Sequence, residues 1–483
     1  TKVLRLKGKT IVPGFIDAHC HPSAVYEEDS PWATVDCRPA VVKDMDGLIA
    51  ALRRKAEKTP EGEWIVGARY QTLKLGRDPT TVDLDKASTK HPIIIGHASG
   101  HQSACNTLAL QLAKVTAATK DPAGGKFVRD AKGEPNGVLQ EGAASLVRGA
   151  MANRPQAPAE VMLEAYREGL RRYLSRGITS VGVAGASTAS ARMLERARTE
   201  DVPLRMNIML NQGSIEDAMQ RMREKRLGND DVRYGGVKLF HGGSVSAHTC
   251  WISFPYAGQP DYFGLKPARS QADLDALVLR VHRAGLQVCI HTNGDRELAM
   301  VLEAFEKALK EAPRTNHRHR LEHCAVVTDD LLRRVKALGL VIVPHSYIWE
   351  LGDTVEAFGE AHWDQIHAAR SMLDLGIPIA AHSDSPVSSA DPLMQIQGMV
   401  TRKDVGGKVY GAQQRLTVEE ALRAWTLGGA YASFEESTKG SITAGKLGDF
   451  VVLDADPAKV EAGRIREVRV LSTYVGGRKV WGE

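Results

Sequence analysis

Two histidines one residue apart, His19 and His21, close the segment Val12-Pro13-Gly14-Phe15-Ile16-Asp17-Ala18-His19-Cys20-His21. The apolar run after Pro-Gly reads as a short strand, and residues i and i+2 of a strand share one face. This spacing presents two imidazoles side by side to one ion and turns Cys20 away. Alone, a His-x-His pair is more often a polar strand-end turn. The later chain changes those odds. Lys238 in Val237-Lys238-Leu239-Phe240, His291 in Val288-Cys289-Ile290-His291, His323 in Leu321-Glu322-His323 and Asp384 in His382-Ser383-Asp384 each sit in or just after another apolar strand. Four histidines and a carboxylate suit a borderline divalent ion such as Zn2+.

Lys238 is the odd member of this set. A lysine in a strand is usually a surface residue, and cations repel an ammonium. Its neighbours Val237, Leu239 and Phe240 are apolar, however, and a desolvated lysine has a lowered pKa. A neutral amine takes up CO2 to become a carbamate, which is a bridging carboxylate.

These groups need strands whose ends converge. From Ala159 onward, helical and short apolar stretches alternate. A helix over Ala159–Arg176 precedes a strand at 178–183, and further strands follow at 204–209 and 236–240. A helix over Gln271–Ala284 precedes 287–291, and then come 319–323, 340–345 and 377–382. With the first histidine strand this gives eight βα units, the pattern of a distorted (β/α)8 TIM barrel in the α/β class. In that fold the loops after the strands meet at one end, where the polar residues fall. Residues 31–158 break the pattern with a helix at 46–58, strands at 64–67 and 92–96 and Gly/Pro/Lys-rich turns, and they read as an inserted α/β subdomain. After a helix over Val418–Thr426, β pattern returns at 448–453 and 468–481. Thr1–Lys9 reads as an edge strand. The expected division is residues 1–10 with 440–483 as a small β-sandwich, and 11–30 with 159–439 as the barrel.

Composition narrows the class. The 483 residues are 43% hydrophobic and 25% charged, with a formal net charge of +5. No basic run suggests a nucleic-acid groove or a membrane surface, and no apolar run reaches the roughly 18 residues of a membrane span. Six cysteines without CxxC pairing, several inside core strands, suit reduced thiols in a cytoplasmic protein. Thr1 already lies in an extended segment, so we expect chain before it, including the start of the sandwich. A homodimer is the default expectation.

The motifs VPGFIDAHCH, VKLFHGGS, HTNGD, LEH and HSDSP resemble those of the amidohydrolase superfamily, within it the YtcJ-like branch (amidohydrolase family 3). The resemblance covers nearly the whole chain, insert and closing GKLGDFVVLDADP included. It implies a distorted barrel, a small β-sandwich from both termini, two Zn2+ ions and a metal-activated hydroxide acting on a small-molecule substrate. By this resemblance His19, His21 and Asp384 hold one metal and His291 and His323 the other, bridged by N6-carboxylated Lys238. Branch members often carry Ala-Asp before Gly-Ser where this chain has His241-Gly242, which leaves the role of His241 open.

Asp384 is the expected catalytic acid–base, taking the water's proton and passing it to a leaving amine. Expected to face the substrate are His97 and His101 of a Gly-rich insert loop, with solvated loop histidines as the bland alternative, His345 and His241, and Gln140 and Glu141, for which a capped surface helix start is the alternative. His382 is expected to pack against or orient Asp384. Trp251, Phe254, Tyr256, Tyr262 and Phe263 form either an apolar pocket wall or the packed base of a loop. The leading expectation is hydrolysis of a C–N bond in a small amide, formamide or cyclic amide. A heterocycle deaminase is the runner-up, typically using one metal and no lysine; Lys238 and the lack of a glutamate after His291 speak against it. A lactone, ester or phosphotriester hydrolase would use the same metals, and a scaffolding relative would usually have lost ligands.

Overall fold

The computed structural model describes residues 3, 5–152, 154–225 and 231–482. Its centre is a parallel sheet of seven strands: β1 (Phe15–Cys20), β2 (Ile178–Ala186), β3 (Arg205–Asn211), β4 (Val232–Phe240), β5 (Gln287–Thr292), β6 (Arg320–His323) and β7 (Val341–Pro344). They lie side by side in chain order. The strands are apolar on both faces because helices cover the outside of a parallel sheet while its inside is also buried. Ile208, Leu210, Val237, Leu239, Val288 and Ile290 belong to the large core shared with the helices. Ala184, Met209 and Cys289 make a small separate cluster. Side chains alternate along a strand, so Lys238, between Val237 and Leu239, falls on the inner face.

The expected eighth strand is not regular. Residues 377–382 contribute only two parallel bridges, Ile342 with Ile379 and His345 with His382. Pro378 has no N–H to donate, and the Ala381 N–H is drawn off to the Ala424 carbonyl at 3.0 Å. The stave still closes the barrel: Ala18 N–H donates to Ala381 O at 3.1 Å and Asp384 N–H to His19 O at 3.0 Å. The following helix is also changed, with α-helix over Val418–Arg423, a π-turn over Ala424–Gly428 and α-helix again over Gly429–Ala432. The carbonyl of Ala424, which takes the stave's N–H, opens that π-turn.

Two further sheets flank the barrel. Thr10–Pro13, Phe450–Leu453, Val470–Val475 and Arg478–Gly482 form a four-stranded antiparallel sheet. The edge strand expected over Thr1–Lys9 is therefore displaced. Residues 1, 2 and 4 lie outside the described residues, and a Lys7-Gly8 turn with φ of 47° and 82° precedes a strand that starts at Thr10. The insert carries a six-stranded sheet that includes Ile65–Tyr70, Ile93–His97, Gln102–Cys105 and Pro135–Gln140. In it Gln102 pairs with Gln140, so the next residues outward, His101 and Glu141, lie together. All six cysteines are unpaired and buried. Among the described residues no helix is long and apolar enough to cross a membrane.

A buried ion pair joins barrel to C-terminal sheet. Arg205 on β3 donates through Nε to Asp449 Oδ2 at 2.7 Å and through Nη2 to Oδ1 at 3.1 Å. Asp449 also accepts from the Gly476 N–H at 2.8 Å. Removing one partner of such a pair leaves a buried charge uncompensated. Arg205→Ala is expected to lower unfolding free energy by about 3–5 kcal/mol, read as an earlier transition in urea; an unchanged midpoint would show that the pair holds nothing.

Candidate metal centre

The site begins on β1, whose register against β2 shifts between Asp17 and Cys20. Asp17 accepts from Ser383 N–H at 3.0 Å and Ser383 O–H at 2.5 Å, tying β1 to the eighth stave. Two residues on, His19 is wholly buried and its Nδ1 lies 2.5 Å from Glu322 Oε2. Glu322 is held in turn by Arg320, through Nε at 2.7 Å and Nη2 at 2.9 Å, and the same Nη2 reaches Ala18 O at 2.9 Å. The carboxylate makes His19 Nδ1 the protonated nitrogen and leaves Nε2 as a lone pair facing inward. Burial holds the His19 imidazole well below its usual pKa, so it is neutral. Sequence reasoning missed Asp17, Arg320 and Glu322 as parts of the site. The i, i+2 alternation in Arg320-Leu321-Glu322 was the available signal.

His21 is fixed by the same logic through the same ring nitrogen, with Nδ1 2.8 Å from the Ala184 carbonyl. Its Nε2 lies 3.2 Å from Asp384 Oδ1, and His19 Nε2 lies 3.4 Å from that same oxygen. Asp384 Oδ1 is buried without an aligned hydrogen bond. Three ligand atoms, one each from His19, His21 and Asp384, thus lie within 4.8 Å of one another. A nitrogen–nitrogen–oxygen set facing one space, with its oxygen unsatisfied, fits a borderline divalent ion.

Lys238 is 1% exposed, and its Nζ lies 3.3 Å from His19 Nε2 and 4.5 Å from the centre of the Phe240 ring. Burial brings its pKa down to about 8. His291 directs Nε2 at the Gly243 carbonyl, 2.9 Å away, and its ring centre is 4.7 Å from that of His323. His323 lies 4.7 Å from His19 by the same measure and has a buried Nδ1 without partner. The six residues expected from sequence therefore gather at the C-terminal mouth of the barrel. A second group joins them: ligand atoms of His323, His345 and His382 also lie within 4.8 Å of one another. His382 makes no hydrogen bond through either ring nitrogen, so the packing role expected for it leaves both nitrogens unexplained.

The substrate-facing expectations divide. His101 and Glu141 meet at 2.8 Å, Thr249 donates to the other Glu141 oxygen at 2.6 Å, and the His101 ring stacks on His291 at 4.8 Å. Glu141 and His241 line a cavity of about 220 Å³, along with Phe240 and Gly243. His241 is 2% exposed with neither ring nitrogen partnered. His97 instead folds onto its own loop, through Ser99 Oγ at 2.9 Å, with its ring against Tyr70. Gln140 donates to Gln102 inside the insert sheet at 3.2 Å. Among the aromatic residues after β4, Tyr256 is buried in a loop core with Phe358 and Tyr410, on which Phe254 and Tyr262 pack, so those three form the base of the loop.

Glu297 organises that loop and was not foreseen. Its Oε1 accepts from the N–H groups of Gly243 at 2.9 Å and Trp251 at 2.7 Å; its Oε2 accepts from Asn293 at 3.0 Å and Gly294 at 2.8 Å. Gly242 passes so close, at φ +108°, that a Cβ there would meet the Glu297 carboxyl at 2.0 Å. The carboxylate thereby sets the Gly243 carbonyl that orients His291.

A barrel of parallel strands with histidines, a lysine and an aspartate at its C-terminal mouth defines the class: a metal-dependent hydrolase. The chain belongs to the amidohydrolase family, whose model matches residues 2–481. It is 30% identical to the N-substituted formamide deformylase of Arthrobacter pascens over 99% of this chain and 89% of that protein. It is 26% identical to the amidohydrolase YtcJ of Bacillus subtilis (strain 168) over 100% and 90%. The crystal structure of an uncharacterized metal-dependent hydrolase from Pyrococcus horikoshii OT3 superposes with a TM-score of 0.71 and 25% identity, covering 95% of this chain and 88% of that one. The protein is an enzyme, a hydrolase of carbon–nitrogen bonds.

Replacing Glu297 by glutamine sets an amide NH2 against backbone donors. Glu297→Gln is expected to lower stability by about 1–3 kcal/mol, measured by chemical denaturation; a variant as stable as the wild type would show that the loop does not depend on this carboxylate.

Proposed function

We propose that this enzyme releases the acyl group from a small N-substituted amide, with a formamide as the first choice of substrate, using a pair of zinc ions. The observation that carries the reading is the convergence of His19, His21 and Asp384 on one space, with Lys238 Nζ 3.3 Å from His19 Nε2. The likeness to a formamide deformylase over 99% of the chain supports the choice of substrate.

In this reading His19, His21 and Asp384 would hold one ion and His291 and His323 the other, with Lys238, carboxylated on Nζ, as a ligand available to both. The pKa of about 8 for Lys238 supports that modification, because a useful fraction of the amine is uncharged near neutral pH. Bound divalent ions supply Lewis acidity towards the scissile carbonyl and lower the pKa of water. The buried Asp384 carboxylate would take a proton from the attacking water and return it to the departing nitrogen. His101, stacked on His291 and steadied by Glu141, walls the site on the insert side; His241 faces the adjoining cavity. We read residues 31–158 as the unit that lends these walls, with 11–30 and 159–439 as the barrel and both termini building the small β-domain. Six unpaired thiols suit a reducing compartment, and we place the enzyme in the cytoplasm.

Formate release from N-alkyl and N-aryl formamides tests the reading. Activity is expected to vanish with a chelator and return with Zn2+. Asp384→Asn is expected to lower kcat by about 10²–10⁴-fold with a smaller change in KM. Ammonia release from a heterocyclic amine, with formamides inert, would move the enzyme to the deaminases. Separately, Glu322→Gln is expected to weaken metal binding by about 10–100-fold, measured by competition with a chromogenic chelator; unchanged affinity would remove Glu322 as the group that orients His19.

A further inference from the structure

Beside the proposed pair, the barrel mouth holds a second converging set that its lysine and aspartate do not explain. His323 ends β6, His345 follows β7, and His382 lies on the eighth stave opposite His345. They are 2%, 6% and 0% exposed. Their rings pack in a triangle, with centres 4.4 Å apart for His323 and His345, 4.9 Å for His345 and His382, and 5.1 Å for His323 and His382. One ligand atom of each lies within 4.8 Å of the other two. Nδ1 of His323, Nδ1 of His345 and both ring nitrogens of His382 are buried without a hydrogen-bond partner.

Packing alone does not account for this arrangement. A buried polar atom without a partner costs free energy, and an apolar side chain would fill the same space without that cost. Here the unsatisfied nitrogens sit together on three adjacent staves. The geometry points to a divalent-ion position held by His323, His345 and His382, additional to the His19–His21–Asp384 position. Imidazole donors favour Zn2+, Cu2+ or Ni2+ over Mg2+ or Ca2+. Three histidines leave a fourth position open for water or a substrate oxygen. With metal–nitrogen bonds of about 2.0–2.1 Å in tetrahedral geometry, ligand nitrogens stand roughly 3.3 Å apart, so loading draws the three rings together. His323 belongs to both sets. An imidazole has two ring nitrogens, and once deprotonated the ring can bind one ion through each of them. His367, with its ring 5.2 Å from His345 and both nitrogens unpartnered, stands behind the set.

Metal counting on the full chain tests this. Wild type, a His345→Asn/His382→Asn variant and a His19→Asn/His21→Asn variant would be stripped, reloaded with excess Zn2+, desalted and assayed by elemental analysis. The His345/His382 variant is expected to hold one ion fewer per chain than wild type. The His19/His21 variant tests the first position independently, so a loss confined to it upholds the proposed function and overturns the additional site. Titrating stripped wild type with Co2+ covers the case in which the double variant misfolds. A tetrahedral absorption band that continues to grow after the pair is filled is expected; saturation at two ions would overturn the site.

Discussion

A buried carboxylate sets the terms on which the mouth of this barrel can be built. Glu322 is completely shielded from water, and an isolated charge there would be prohibitively costly. Arg320, two residues earlier on the same strand and equally buried, neutralises it through two hydrogen bonds. The remaining acceptor capacity of Glu322 is spent on His19, and Arg320 also reaches the Ala18 carbonyl, so β1 and β6 are held across the lumen. One ion pair thus fixes a strand spacing, a ring orientation and a tautomer together. Without it the His19 ring would be free to turn and its lone pair would have no fixed direction.

The elements carrying the chemistry were legible because each strand writes its two faces in alternate residues. Val237 and Leu239 outward forces Lys238 inward, and the same parity places His291. The barrel followed from counting such strands. The eighth is where the count was right and the element wrong: its apolar sequence matched the others, but Pro378 removed a donor and the helix after it took the Ala381 N–H. Whether a given N–H finds a sheet partner depends on what packs beside it, and no local pattern records that. The shifted N-terminal strand has a local cause instead, the left-handed Lys7-Gly8 turn that the apolar pattern does not reveal.

What stayed hidden in the site was non-local. Glu297 caps its own helix in a way any acidic residue near a helix start does, and nothing in the sequence announces that its carboxylate also gathers N–H groups from Gly243 and Trp251. The meeting of His101 with Glu141 depends on the antiparallel register of the insert sheet, and His101 reaches His291 only because that sheet leans over the barrel mouth. His97, four residues from His101 in the same Gly-rich loop, is chemically indistinguishable in sequence and is turned into the insert against Tyr70.

The broken stave and the crowded histidines have a common origin. A regular eighth strand would pair continuously with β7 and continue its alternation through residues 377–384. Reduced to two bridges, the stave instead lets Asp384 adopt a left-handed backbone at φ 55° and fall back towards His19, while Ser383 turns its hydroxyl to Asp17. The second bridge is the one that aligns His345 with His382. Loss of ladder regularity at this point frees the backbone after His382 to turn, so that Ser383 reaches Asp17 on β1 while Asp384 reaches His19. The irregularity is therefore part of how the site is built: the turn at Asp384 sets its carboxylate against His19 and His21, just after the bridge that lays His382 beside His345.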